Sequence, residues 1–186
     1  MTSTTSTSPT DTTSASPTTS LSPPASPTST SATGTTRPVP PITAMHACRP
    51  EDLGVAAGRS LATSGHVGVT ILFRNVSRTG CTLEGYPGVA GLDAQGHQAV
   101  QATRSTNGYL GGTYGVRNIM VAPGASASAM VEGTDVPSGM ATSCATYPAL
   151  LVTAPGHTDS HVVHVSVPGC SGLQVHPVVV GTSGRP

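Results

Sequence analysis

Four cysteines and seven histidines are the side chains of this 186-residue chain best equipped for chemistry. The cysteines stand at Cys48, Cys81, Cys144 and Cys170, tens of residues apart and with no Cys-x-x-Cys pair. Such spacing fits neither a zinc ribbon nor a thioredoxin-type motif and points to two disulfides. Three pairings are open. Sequential pairing, Cys48 with Cys81 and Cys144 with Cys170, is preferred because each bridge then clamps one end of the strand order. Through chain entropy each loop so closed is worth about 3.5 to 4 kcal/mol. A nucleophilic Cys81 would need a general base beside it and a pair of donors for an oxyanion. Its sequence neighbours Arg78, Thr79, Gly80, Thr82 and Leu83 include no such base.

Histidines are densest in HTDSHVVH, where His157, His161 and His164 surround Asp159. Imidazole suits zinc and copper, so these three are the candidate ligands of a metal site, and Met45, His46 and Cys48 would add softer donors. On a strand over 161–167, His161 and His164 fall on opposite faces and cannot share one ion without a bulge. Solvated or edge-strand histidines, with no metal and no other cofactor, are the preferred reading. Nothing in the sequence spells Gly-x-Ser-x-Gly, His-Glu-x-x-His or a Gly-rich loop opening a helix, so no enzyme is expected and no catalytic residue is assigned. With no Trp in the chain, aromatic platforms for a glycan reduce to Tyr109 and Tyr114 in RSTNGYLGGTYG, residues 104–115. This is the longest loop, and the two tyrosines are the first choice for a binding surface; packing over the sheet is the alternative. Asn75-Val76-Ser77 has the N-glycosylation spelling, although an Asn ending a strand before a turn needs no glycan.

The elements that must position these groups are strands. In HVGVTILFRNV, Val67, Val69, Ile71 and Phe73 alternate with Thr70, Leu72 and Arg74, the period of a strand with one face in a core. Further strands are expected at 53–57, 88–92, 97–102, 117–122, 126–133, 149–154, 161–167 and 173–180, separated by Ser-Gly, Gln-Gly and Pro-Gly breakers. No segment carries twelve residues of helical periodicity. Seven to nine short strands joined by turns predict an all-β fold, an antiparallel immunoglobulin-like β-sandwich, with a barrel second.

Residues 1–44 read differently. They are mostly Ser, Thr and Pro and cannot bury enough apolar surface to offset roughly 1 to 2 kcal/mol of backbone entropy per residue. A disordered stalk or linker, open to O-glycosylation, is expected there, and the sandwich over 45–186. As a coil such a stalk spans roughly 35 Å. Charge is sparse, 9% of residues, and every cation is Arg, so there is no basic patch for nucleic acid. No apolar run is long enough to span a bilayer, and no signal peptide is legible. Disulfides and a stalk nevertheless imply an oxidising compartment, so an export segment or lipid anchor is expected upstream of Met1.

In CTLEGYPGVAGLD, residues 81–93, Pro87 fixes its own φ while Gly85 and Gly88 allow angles other residues resist, so the stretch reads as a corner. A first Cys soon after a Ser/Thr/Pro leader, the strand LFRN at 72–75, Cys81 with Gly-Tyr-Pro-Gly at 85–88, Pro123-Gly124 and the later cysteines together resemble the actinobacterial envelope-associated domain of unknown function 4232. The resemblance runs from residue 46 to near the end of the chain. It implies a secreted protein or lipoprotein and no established activity. The combined expectation is a non-catalytic extracytoplasmic module of the cell envelope, with an envelope protein or glycan as partner. The second reading is a copper- or zinc-binding protein using His157, His161 and His164.

Overall fold

The alternation over 66–75 becomes the central strand of the domain, with Val69, Ile71 and Phe73 all fully buried. The computed structural model describes residues 45–110 and 112–186. The stalk expected over 1–44 lies outside the described residues. In chain order the strands are β1 (His46–Ala47), β2 (Leu53–Thr63), β3 (His66–Asn75), β4 (Cys81–Glu84) and β5 (Gly88–Leu92). Next come β6 (Gln98–Gln101), β7 (Thr103–Arg104), β8 (Asn118–Val121), β9 (Ser126–Thr134) and β10 (Thr146–Tyr147). The last are β11 (Ala149–Thr153), β12 (Ser160–Val163), β13 (Val167–Pro168), β14 (Leu173–Val175) and β15 (Val179–Val180). Among the described residues no helix is long and apolar enough to cross a membrane.

These strands make an all-β sandwich. The larger sheet runs β2-β3-β9-β14-β7, with β15 also paired to β9, and a second sheet runs β12-β11-β5-β6. A three-stranded sheet, β1-β4-β8, and the pair β10-β13 complete it. Val69, Ile71 and Phe73 of β3 and Ala127, Ala129 and Val131 of β9 share one core with Val89, Leu150, Val152, Val163, Leu83 and Val121. Each fully buried Val, Leu, Ile or Phe side chain contributes roughly 1.5 to 3 kcal/mol, which lets a core almost without aromatics hold.

Most expected strands stand where the alternation put them; three differ in extent, and one segment not expected as a strand is one. The strand expected at 53–57 continues to Thr63 and returns through a two-residue Ser64-Gly65 hairpin into β3. The stretch CTLE, taken as the lead-in to a turn, is itself β4. A single strand at 173–180 becomes β14 and β15, because Pro177 between them has no amide to give a ladder. The one expected at 161–167 likewise splits into β12 and β13. Two pairings, β1 with β4 and β14 with β7, are parallel and depart from the expected antiparallel order.

Gly-Tyr-Pro-Gly turns the chain from β4 in one sheet to β5 in another. Gly85 has φ of 99°, a conformation costly for any side chain, and its carbonyl accepts from the Val178 amide at 2.9 Å. The motif is therefore a corner tied to the segment that leads into β15.

The larger sheet is covered on both faces. On the face away from the core lie Thr70, Ser128, Met130 and Glu132, all fully buried. The Gly-rich loop and the segment after β15 cover them: Gly184 donates its amide to Ser128 Oγ at 2.9 Å, and Thr70 Oγ1 donates to the Ser183 carbonyl at 3.2 Å.

Candidate functional site

Both disulfides form in the sequential order, Cys48–Cys81 and Cys144–Cys170, with 33 and 26 residues of separation, and no described cysteine is free. The first ties β1 to its parallel neighbour β4 inside the main core. The second joins the segment before β10 to the segment after β13 and is half-buried. Cys81 is thus a structural half-cystine.

The histidine cluster does not assemble. His157 Nε2 donates to the Cys48 carbonyl at 2.7 Å, whereas His161 lies exposed on β12 and His164 exposed just beyond it. Among the described residues, no group of three or more His, Cys, Asp or Glu is arranged to hold a metal ion. Asn75 is fully buried, its Nδ2 donating to the Thr79 carbonyl at 2.8 Å and the Val121 carbonyl at 2.9 Å. Its Oδ1 accepts from the amide and hydroxyl of Ser77, so the glycosylation spelling marks a turn.

The two loop tyrosines part company. Tyr109 is 42% exposed and stacks on His66 with ring centroids 4.8 Å apart, while Tyr114 is 2% exposed. Tyr114 therefore packs over the sheet, as the alternative reading of the loop required, and of the pair only Tyr109 meets solvent.

Beneath that loop sits a polar cluster the sequence did not single out. Glu132 on β9 and His176 after β14 are both fully buried, with Nε2 of the ring 3.4 Å from Oε2 of the carboxylate. At the other side of the ring, Nδ1 is 2.9 Å from the Ser105 carbonyl, which can only accept, so Nδ1 carries a proton. The Tyr114 ring lies on the His176 ring, centroids 4.2 Å apart and planes within 9°. The amides of Tyr109 and Leu110 donate to the Glu132 carboxylate. Gly68 of β3, opposite Glu132, leaves the space that Leu110 fills; a Cβ there would fall on the Leu110 side chain.

Electrostatics follow from this enclosure. Burial drives the Glu132 carboxyl upward, but the His176 ring and the Tyr109 and Leu110 amides together hold it below its ordinary range. Burial, then the Glu132 charge, raises the Tyr114 phenol, with Arg185 opposing. Arg185 donates to the Leu110 carbonyl and so fastens the loop from the other side.

The family model described as Domain of unknown function (DUF4232) matches residues 48–182, from the first disulfide to just past β15. The chain belongs to this family. No curated protein and no solved structure matched it. In this DUF4232 domain the matched span contains both disulfides, the corner, Glu132, His176 and Tyr114, and stops short of Ser183–Arg185, which completes the cover over the outer face.

A cleft of about 290 Å³ opens beside that cover, between β8 and β15, lined by Arg117, Ile119, Val178, Val179, Val180 and Arg185 among others. Sequence reasoning missed it, since its walls come from residues some sixty positions apart. Glu132 left a faint trace: it is the one charged residue in the otherwise small and apolar run SASAMVEGT.

Proposed function

We propose that this DUF4232 domain is a non-catalytic, extracytoplasmic interaction or structural module of the cell envelope, joined to its surroundings by the Ser/Thr/Pro-rich segment. The observation that carries the reading is the use of the buried acid–base pair. The Glu132 carboxylate accepts from the Tyr109 and Leu110 amides, His176 Nδ1 donates to the Ser105 carbonyl, and both side chains are closed off from solvent, so they support a framework role over proton transfer to a substrate. Two disulfides fit a compartment that oxidises thiols. Tyr109 at the tip of the anchored loop supplies an exposed aromatic surface for an envelope protein or glycan.

Immobilised full-length chain, exposed in parallel to envelope and cytosolic extracts of its own host, tests the reading. Selective capture of envelope components, with no alkylatable thiol in the native protein, is expected. Turnover of an envelope substrate that is lost in Glu132→Ala but not in Tyr109→Ala would overturn it, as would four free thiols in the native protein.

A further inference from the structure

Two strands approach each other in this domain without forming a ladder. Among the described residues, β8 pairs with β4 on one side only and closes the three-stranded sheet, and β15 pairs only with β9. The cleft lies where they meet, so each wall has a strand edge without a neighbouring strand among the described residues, although the Val178 amide is taken by the Gly85 carbonyl. Its floor is aliphatic, formed by Ile119, Val178 and Val179. Val180, which also lines it, is 69% exposed.

The charged side chains that line the cleft are arginines, and the terminal residue Pro186 lines it beside them. Arg117 and Arg185 both line it, and neither has a carboxylate in ion-pair contact among the described residues. The nearby buried carboxylate, Glu132, already faces His176. Guanidinium groups over an aliphatic floor select a ligand with an anionic end and an apolar body. A bare phosphate would leave the apolar walls uncovered, and a fatty acid would leave the strand edges without hydrogen-bond partners. A peptide terminus satisfies all three features.

We propose that the cleft between β8 and β15 captures the free C-terminal carboxylate of an extended partner peptide with small aliphatic side chains. The carboxylate sits on Arg117 and Arg185, and the peptide backbone lies along the strand edges. A space of this size admits a short run of small residues. This deepens the interaction-module reading by naming the class of partner for one surface.

The test is a titration of the isotopically labelled full chain, followed by amide NMR, with acetyl-Ala-Val-Ala as free acid, the same peptide as C-terminal amide, and inorganic phosphate. The free acid is expected to shift the amides of Gly115, Ile119, Val179 and Val180, and to bind at least about tenfold more tightly than the amide. Arg117→Gln should weaken the free acid by about tenfold while leaving the rest of the spectrum in place, since Arg117 is exposed and holds no loop. Val180→Asp, which sets a negative charge at the mouth, should abolish binding. Equal binding of acid and amide, shifts confined to other surfaces, no shift at millimolar peptide, or phosphate displacing the peptide at equal concentration would each overturn the proposal. An envelope partner captured by the Arg117→Gln chain as well as by the parent would leave the interaction-module reading standing while this one fell.

Discussion

Glu132 and His176 lie 3.4 Å apart with no exposure to solvent, on segments that the sequence separates by more than forty residues. Neither is needed to close the main core, which is built from the opposite face of the same sheet. What they hold is the loop. Removing one partner strands the other, so Glu132→Ala and His176→Ala should each destabilise the domain by about 3 to 5 kcal/mol in urea unfolding. The double variant should lose clearly less than the sum, and additivity would show that the pair is not coupled. Amide exchange of residues 106–114 should speed up more in Glu132→Ala than exchange in β3 or β9.

Acid should act through the same carboxylate. The Glu132 carboxyl is held below its ordinary value of 4.5, so its stabilisation is complete above that pH and fades as pH falls through the lower folded value. Asp52, whose carboxyl is lowered chiefly by the Arg49 amide, adds in the same direction below its ordinary 3.8. The midpoint of thermal unfolding should stay level from pH 7 to about 5 and drop steeply below about 4.5. Glu132→Gln should flatten that drop. An unchanged acid limb would assign it to other groups.

The two disulfides should differ in how readily they open. Cys48 and Cys81 are 3% and 0% exposed, whereas Cys144 and Cys170 are only half-buried. Graded reduction followed by alkylation and peptide mapping should label Cys144 and Cys170 first. Loss of Cys48–Cys81 should cost about 3.5 kcal/mol or more, because chain entropy is joined by the loss of two packed side chains. Simultaneous labelling of all four would contradict the difference in burial.

Asn75 makes a prediction of the opposite kind, about an event that should not happen. Its side chain is enclosed and bonded to Thr79, Val121 and Ser77. Asn75→Ala takes a donor from the buried Val121 carbonyl and unties the turn at Ser77 and Thr79, and should cost about 1 to 3 kcal/mol. The folded protein should emerge without a glycan at this position even from a glycosylating host, as intact mass would read.

The strands were legible where alternation was long. LFRN and its flanks could be read because Val69, Ile71 and Phe73 repeat at period two, and the sequential cysteine pairing followed from strand order. β4 was hidden because four residues cannot display a period against the strong turn signal beside them. The parallel pairings were hidden for another reason: Ala47 with Thr82, or Val175 with Arg104, are choices made by the assembled sheet and leave no local mark. Histidine density is as poor a guide to position in the fold. Three histidines close in sequence at 157–164 are dispersed by a strand and a turn, while the histidine that matters to the loop, His176, stands apart beside a proline. Tyr109 and Tyr114 were rightly placed in the longest loop, but which one faces solvent depends on Glu132 and His176 beneath them.

The order of the bridges has a consequence for biogenesis. Each cysteine is joined to the next one along the chain, first to second and third to fourth. A polypeptide delivered N-terminus first into an oxidising compartment presents Cys48 alone, then Cys81, and the bond that forms at once is the native one. Cys144 and Cys170 then arrive as a second pair with no unreacted thiol left to compete. Under such delivery the order of arrival alone would write the correct connectivity, with an oxidase and without an isomerase to reshuffle bonds.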